Sequence, residues 1–206
     1  MSETQANQPI NFSSFADWCL HKDSLSEAAR HTVEVLLKEA GTSDSNEAEK
    51  VLSNLTELNL TGNEITDITP LSALSNLTQL YFCHNEITDI TPLSALTNLT
   101  QLYFRHNQIT DISPLSALTN LNTLYLESNQ IIGITGLSAL TNLTYLELSN
   151  NQIIDITPLL GLTNLNVLSL YNNPITDLNL SIELTQKYLT LSTTPIDSPT
   201  ATETAK

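Results

Sequence analysis

Residues 98–119, NLTQLYFRHNQITDISPLSALT, decide the fold, because this stretch recurs with few changes along most of the chain. Residues 76–97 read NLTQLYFCHNEITDITPLSALT and differ from it at three positions. One asparagine recurs every 22 residues, as Asn63, Asn85, Asn107, Asn129, Asn151 and Asn173. Six copies without an insertion, over residues 52–180, predict a solenoid of stacked units, since a single unit cannot bury its apolar face alone.

Each position of the repeat predicts a structural role. In the first copy, residues 57–61 alternate between outward and inward positions, which is typical of a strand. The segment TPLSAL (69–74) predicts a short helical turn on the convex side, with Thr69 as the N-cap and Pro70 at the first helical position. Seven apolar residues are expected to point inward and to pack on the next copy: Leu55, Leu58, Leu60, Ile65, Ile68, Leu71 and Leu74.

Two polar columns also repeat, and both favour a structural role. The recurring asparagine is predicted to face inward, where its amide satisfies backbone groups as the chain leaves the strand. The recurring aspartates are expected to bond their local backbone rather than to act as catalytic carboxylates. They are Asp67, Asp89, Asp111, Asp155 and Asp177. Gly133 and Gly136 replace Asp and Pro in the fourth copy, which predicts a loosened convex turn or, alternatively, a docking point for another chain.

The segment before the repeats predicts a helical cap over the open end of the core. Three helices are predicted: 13–20, 24–40 and 44–52. Ser24 and Glu27 fit a capping box at the start of the second helix, and Gly41 fits its end. Phe15 and Trp18 are expected to pack on the first repeat or, alternatively, to anchor a partner from an exposed position.

These patterns divide the chain into five segments. Residues 1–9 are expected to be disordered, residues 10–51 to form the helical cap and residues 52–180 to form the six repeats. Residues 181–192 are interpreted as a degenerate last layer with a short helix. Residues 193–206 are rich in Thr, Ser and Pro, which predicts a disordered tail.

Residues 96–120, LTNLTQLYFRHNQITDISPLSALTN, and 140–164, LTNLTYLELSNNQIIDITPLLGLTN, closely resemble the leucine-rich repeats of bacterial internalins. The motif N-x-I-T-D-I-x-P-L is specific for this subclass, and the resemblance covers residues 52–180. It implies an α/β leucine-rich repeat solenoid, right-handed and curved, with a parallel sheet on the concave face and convex turns mostly of the 3₁₀ type. It further implies protein–protein recognition through the concave face.

Composition and charge narrow the range of partners and compartments. The chain has 22 acidic residues against 7 Lys and Arg, and Arg105 is the only Lys or Arg between Val51 and Gln186. The repeats therefore lack a patch that neutralises phosphates, which disfavours nucleic acid and anionic membranes and favours a protein partner with a basic rim. No signal peptide or membrane span is visible. Cys19 and Cys83 suggest no disulfide framework, so a cytoplasmic location in a bacterium is expected.

Outward positions of the concave face hold most of the tyrosines, whereas inward positions hold Leu, Ile and Phe. The five tyrosines at outward positions are Tyr81, Tyr103, Tyr125, Tyr145 and Tyr171. Because neighbouring strands lie about 4.8 Å apart, the first three are expected to form a ladder that Tyr145 extends diagonally. Tyrosine is enriched in binding hot spots. Alternatively, such a ladder stabilises the sheet, or it reflects recent duplication of the repeat.

Polar residues flank the tyrosines and complete the predicted binding face. They are Arg105, Glu127, His84, His106, Gln79 and Gln101. Arg105 is expected either to pair with Glu127 or to reach a carboxylate of the partner. His84, His106 and Cys83 share one region, but no further ligand recurs at a suitable spacing, so no metal or cofactor is predicted. The repeats contain no catalytic motif, and an open sheet offers no closed pocket, so no enzymatic activity is predicted.

These features favour a non-enzymatic adaptor or scaffold that binds one protein on its concave face through the tyrosine ladder. The alternative is a structural or regulatory subunit of a larger assembly that docks through the N-terminal helices. A carbohydrate-binding or surface-adhesion module is a third hypothesis, which a leader sequence in the genomic reading frame would support.

Overall fold

The computed structural model describes residues 12–177 and 180, so the predictions for residues 1–9, 181–192 and 193–206 lie outside the described residues. Within this described part of the chain, six short strands form one sheet: β1 (Glu57–Asn59), β2 (Gln79–Tyr81), β3 (Gln101–Tyr103), β4 (Thr123–Tyr125), β5 (Tyr145–Glu147) and β6 (Val167–Ser169). All neighbouring strands are parallel, and their order in the sheet follows their order in the chain. This topology is that of a solenoid in which each repeat pairs with the next.

Each strand is joined to the next by a 3₁₀ helix on the convex side. These helices are Thr69–Ala73, Thr91–Ala95, Ser113–Ala117, Thr135–Ala139 and Thr157–Gly161. The core lies between the sheet and the helices. The predicted inward residues of the first copy from Leu58 to Leu74 are at most 3% exposed, and Leu55 packs on them as a partly buried side chain. The predicted solenoid, with its parallel sheet and its 3₁₀ turns, is confirmed.

Three α-helices cover the first repeat: α1 (Phe15–Leu20), α2 (Glu27–Ala40) and α3 (Ser45–Leu52). Phe15 and Trp18 are 0% and 1% exposed, as expected for side chains that pack on the end of the core. Polar side chains of α2 bond to the repeat itself, since Thr32 Oγ1 donates to Asp67 O at 2.6 Å. None of the helices in the described part of the chain is long and apolar enough to cross a membrane.

The start of α2 differs from the prediction. The helix begins at Glu27, and Ser26 is its N-cap, with a hydroxyl that accepts a hydrogen bond from the first turn. Ser24 belongs to the preceding 3₁₀ turn, Lys22–Ser24, and its hydroxyl donates to the backbone oxygen of His21, just before that turn. The capping box of Ser24 and Glu27 is therefore wrong. Gly41 ends the helix as predicted, in the left-handed conformation with φ 69°.

The two polar columns have the predicted structural roles. Nδ2 of Asn107 donates to Phe82 O and Phe104 O at 2.9 and 3.2 Å, and Oδ1 accepts from Ile87 N at 3.1 Å. Because these bonds join consecutive repeats, the asparagine column is a ladder between layers. Each aspartate from the first, second, third and fifth copies accepts a hydrogen bond from the backbone N–H two residues later.

The convex turns differ from the prediction in two details. Thr69 is the first residue of its 3₁₀ helix rather than the N-cap, so Pro70 is the second residue. The fourth copy is not loosened, because Thr135–Ala139 form a 3₁₀ helix of the same length as in the other copies. A Cβ on Gly136 would lie 2.8 Å from Ile112 O. Glycine therefore permits a close approach of the third and fourth copies, and docking at this point stays a hypothesis.

Candidate functional site

The register of the strands fixes which residues stand side by side on the concave face. Each residue pairs with the residue 22 positions later, so Tyr81 lies beside Tyr103 and Tyr103 lies beside Tyr125. At the next pair of strands, Tyr145 lies beside Thr123 and Glu147 lies beside Tyr125. A residue that differs between two repeats at an outward strand position therefore changes this face at one defined point.

Four tyrosine rings stack in the order of the repeats, and we call them the tyrosine stack: Tyr81, Tyr103, Tyr125 and Tyr145. The ring centroids are 4.4, 4.8 and 4.6 Å apart, with interplanar angles of 8°, 19° and 24°. Gln79 and Gln101 orient the first two rings, because their Oε1 atoms accept hydrogen bonds from the tyrosine hydroxyls at 3.1 and 2.9 Å. Tyr171 stands apart from the stack and is 61% exposed.

Stacking determines what the tyrosines offer to another molecule. Tyr103 and Tyr125 each have a ring on both faces, so their edges and hydroxyl groups are the parts left to contact a ligand. The edge of an aromatic ring carries partial positive charge, which favours carbonyl oxygens, carboxylates or the face of another ring. Burial raises the pKa of Tyr103 to about 12 and also raises the pKa of Tyr125. Both hydroxyl groups are therefore neutral at physiological pH.

The polar frame beside the stack is largely bonded within itself. The Arg105 guanidinium bonds to the Glu127 carboxylate, with side chains only 18% and 16% exposed, so the internal pair is the alternative that is found. The rings of His84 and His106 stack at 4.4 Å. Burial and the neighbouring His84 lower the pKa of His106, which is therefore uncharged at neutral pH.

Cys83 lies between the stack and the histidines, in surroundings that do not activate a thiol. Its Sγ is 3.8 Å from Tyr103 O, and burial raises the pKa of the thiol. Since the thiolate is the nucleophilic form, this cysteine is a poor nucleophile at neutral pH. Within residues 12–177 and 180, no group of three or more His, Cys, Asp and Glu side chains is arranged to hold a metal ion.

The sequence interpretation missed three polar residues on this face, which we call the Glu147 cluster: Glu147, Ser149 and Ser169. Glu147, Ser149 and Ser169 occupy outward positions but are only 6%, 5% and 5% exposed. Glu147 Oε1 accepts from Ser149 N at 2.8 Å, and the two serine Oγ atoms are 2.6 Å apart. The available signal was the change from Tyr to Glu and Ser in the column of Tyr125.

Comparisons with known proteins point to the repeat region. A family model described as leucine rich repeats (2 copies) matches residues 53–95, 97–139 and 141–182. No curated protein sequence matches the chain. Internalin InlF of Listeria monocytogenes is 33% identical to this chain, with a TM-score of 0.67. The match covers 75% of this chain and 46% of the InlF chain. Internalin C2 of the same species is 32% identical, with a TM-score of 0.52, over 70% of this chain and 75% of its own.

A more distant similarity comes from a plant receptor. The ectodomain of the membrane receptor kinase GASSHO1/SCHENGEN3 from Arabidopsis thaliana, in complex with CASPARIAN STRIP INTEGRITY FACTOR 2, is 25% identical to this chain. The match covers 60% of this chain and 16% of the plant chain, with a TM-score of 0.54. This chain thus spans less than half the length of InlF and a smaller part of the plant ectodomain.

Proposed function

This chain belongs to the leucine-rich repeat family, with repeats of the internalin type, and we propose that its concave face binds one protein partner through the tyrosine stack. The leucine-rich repeat fold is typically a non-enzymatic scaffold for protein binding. The observation that carries the proposal is the row of four stacked tyrosines on an open sheet. In this role the chain is an adaptor that presents a preformed surface to its partner.

The fold itself does not require these tyrosines. The first strand has Asn59 in the position of Tyr81, and the sixth has Ser169, yet both strands pair in the same register as the others. Stacked pairs on adjacent strands contribute only about 0.2–1 kcal/mol each relative to alanine pairs. Tyrosine also offers a large rigid contact area with a polar tip, which is why it is common in binding hot spots.

The chemistry of this face favours a protein over a carbohydrate. Sugars commonly pack their C–H groups on the open faces of aromatic rings, whereas the two central rings of the stack have both faces covered and the two end rings have one. Ring edges and hydroxyl groups suit the carbonyl oxygens and side chains of a polypeptide. A net charge of −15 favours a partner whose rim is basic. The plant receptor ectodomain, which shares the fold, was solved in complex with CASPARIAN STRIP INTEGRITY FACTOR 2.

Replacing Tyr81, Tyr103 and Tyr125 together with alanine is expected to abolish capture of the protein partner. Each tyrosine in a binding hot spot contributes about 2 kcal/mol or more to binding, so three losses lower the affinity beyond detection in a pull-down. Immobilised wild-type and variant chains, exposed to a lysate of the source cell, measure this difference. Calorimetric titration of the purified captured protein then gives the change in the dissociation constant.

The matched control replaces Thr66, Thr88 and Thr110 with alanine, since these residues are exposed on the flank of the first three repeats, two of which carry Tyr81 and Tyr103. This control is expected to capture the partner as the wild type does. Circular dichroism checks that both variants keep the fold. Undiminished capture by a folded tyrosine variant would remove the tyrosine stack from the interface.

Docking through the N-terminal helices is a second candidate function, which exposed apolar side chains favour. Leu20 in α1 is 72% exposed, and Val51 in α3 is 41% exposed. Deleting the helices would uncover the first repeat, so replacing both side chains with serine is the cleaner test. We expect this double variant to keep capture of the partner and the wild-type unfolding midpoint. Loss of capture here, together with retention in the tyrosine variant, would move the interface to the helices.

A further inference from the structure

We propose that the Glu147 cluster binds a positively charged side chain, lysine or arginine, of the protein partner. This inference rests on the proposed function, because it assigns one residue class of the partner to one place on the same face. The cluster lies on β5 and β6 at the end of the tyrosine stack, where the stack moves from Tyr125 to Tyr145. A partner that contacts the ring edges therefore has this cluster within its footprint.

All three members of the Glu147 cluster stand on the concave side, as Tyr145 does. Tyr145 and Glu147 are the first and third residues of β5, and alternate residues of a strand point to the same face of the sheet. Ser169 pairs in register with Glu147. Ser149 is linked to both, through its backbone N–H and its hydroxyl. The cluster is therefore one connected polar group on the proposed binding face.

Glu147 forms no ion pair with another of the described residues. Its side chain is 6% exposed, yet the ion pairs of the described chain all involve other carboxylates. Arg105, the nearby cation of this face, is bonded to Glu127. Glu147 Oε1 accepts one hydrogen bond from Ser149 N, and Oε2 accepts none from the residues described. A carboxylate with so little exposure is stabilised when a cation or further donors meet it.

The neighbouring groups favour a donor-only ligand. The hydroxyls of Ser149 and Ser169 bond to each other. Together with Glu147 Oε2, their oxygen atoms have lone pairs that remain free to accept hydrogen bonds. A lysine ammonium has three N–H donors and an arginine guanidinium has five, and neither has an acceptor. Charge-assisted bonds from such a cation are the strong kind, which an apolar or anionic side chain cannot form here.

Two rival explanations have to be separated by experiment. The chain itself has lysines after the repeats, Lys187 and Lys206, so the occupant of the cluster could be internal. A chain with a net charge of −15 also attracts any cation diffusely. If a lysine of the chain itself occupies the cluster, the Ser149 resonance depends on Lys187 or Lys206. If the attraction is diffuse, the peptide affinity depends equally on every carboxylate of the concave face.

The test is a titration of the full chain with short peptides, followed at the Ser149 backbone amide by nuclear magnetic resonance. The probes are acetyl-Gly-Gly-Lys-Gly-Gly-amide, its arginine counterpart and its norleucine counterpart, which keeps the aliphatic stem without the charge. We expect the lysine and arginine peptides to shift the Ser149 resonance in a saturable way. We expect no saturable shift with norleucine, and an equal shift with norleucine would overturn the inference.

Glu147→Gln and Glu57→Gln are the matched variants, because each removes one negative charge from the concave face. In Glu147→Gln the side-chain amide oxygen can still accept from Ser149 N, so we expect an unfolding midpoint equal to or above that of the wild type. The peptide affinity is expected to fall about tenfold or more in Glu147→Gln and to stay within about twofold in Glu57→Gln. Equal losses in both variants would indicate diffuse attraction and would overturn the inference. The inference would also be overturned if Lys187→Gln or Lys206→Gln shifted the Ser149 resonance from its wild-type position in the absence of peptide. Such a shift would mean that a lysine of the chain itself occupies the cluster.

The same variants distinguish this inference from the proposed function. If the tyrosine variant loses capture of the partner while Glu147→Gln keeps it, the concave face is the interface and the cluster is not a cation site. If Glu147→Gln weakens both peptide and partner binding, both proposals are supported. If the tyrosine variant still captures the partner and peptide binding still depends on Glu147, the tyrosine stack is not the interface. The Glu147 cluster is then a cation site that does not serve binding of this partner through the stack.

Discussion

Replacing Asn107 with alanine is expected to lower the free energy of unfolding by about 2–4 kcal/mol, although asparagine adds nothing to the apolar core. Its amide donates to three backbone carbonyls, those of Phe82, Phe104 and Arg105, at 2.9, 3.2 and 3.3 Å. Its Oδ1 accepts from Ile87 N at 3.1 Å. Asn107 is 8% exposed, so water does not replace these partners freely. Each buried backbone group left without a partner costs about 1–3 kcal/mol.

Asn63 is the matched control, because it occupies the same column in the first repeat. Its Nδ2 donates to Thr61 O alone, at 3.2 Å, and the residue is only half-buried. Alanine at this position is expected to change the free energy of unfolding by less than about 1 kcal/mol. Urea denaturation followed by circular dichroism measures both variants. Equal losses of unfolding free energy at the two positions would mean that an inner asparagine of the ladder stabilises the fold no more than the half-buried asparagine at its end.

Replacing Trp18 with alanine is expected to lower the free energy of unfolding by about 3–5 kcal/mol, because the side chain is one of the largest in the core. It is the only tryptophan of the chain and is 1% exposed. Its ring packs edge-on against Phe12, with 5.1 Å between the centroids. In a solenoid each repeat is stabilised mainly by its neighbours, so a weakened helical cap exposes the first repeat to unfolding.

Leu20→Ala provides the control within the same helix, since Leu20 is 72% exposed. Its effect is expected to lie within about 0.5 kcal/mol of zero. Circular dichroism gives the unfolding midpoint, and hydrogen exchange of the amides in β1 and β2 reports which repeats lose protection. A Trp18 variant as stable as the Leu20 variant would contradict a stabilising role for the helices.

The repeat itself made much of the fold predictable. A fixed period of 22 residues brings equivalent side chains into one column, so a role assigned to Asn or Asp in one copy applies to the equivalent residue in the other copies. The start of α2 was not predictable in the same way. Ser24 and Ser26 both precede the helix, and only the 3₁₀ turn Lys22–Ser24 decides which of them is free to cap it. Flanking segments lack the redundancy that six copies provide.

The concave site was predictable in position but not in burial. Parallel strands in register necessarily bring Tyr81, Tyr103 and Tyr125 side by side. The low exposure of Glu147 depends instead on the size and rotamers of the side chains that surround it in three dimensions. The role of Gly136 likewise depends on its distance from Ile112 O in the neighbouring repeat, which no pattern within one repeat encodes.

The register of whole repeats has a consequence for how this surface changes during evolution. Loss of residues 98–119 through unequal recombination would remove one layer at matching backbone positions and bring Tyr81 next to Tyr125. Duplication of the same residues would add one ring. The contact surface can therefore lengthen or shorten in steps of about 4.8 Å without any point substitution. A single deletion or duplication thus changes the size of the partner that the surface can contact.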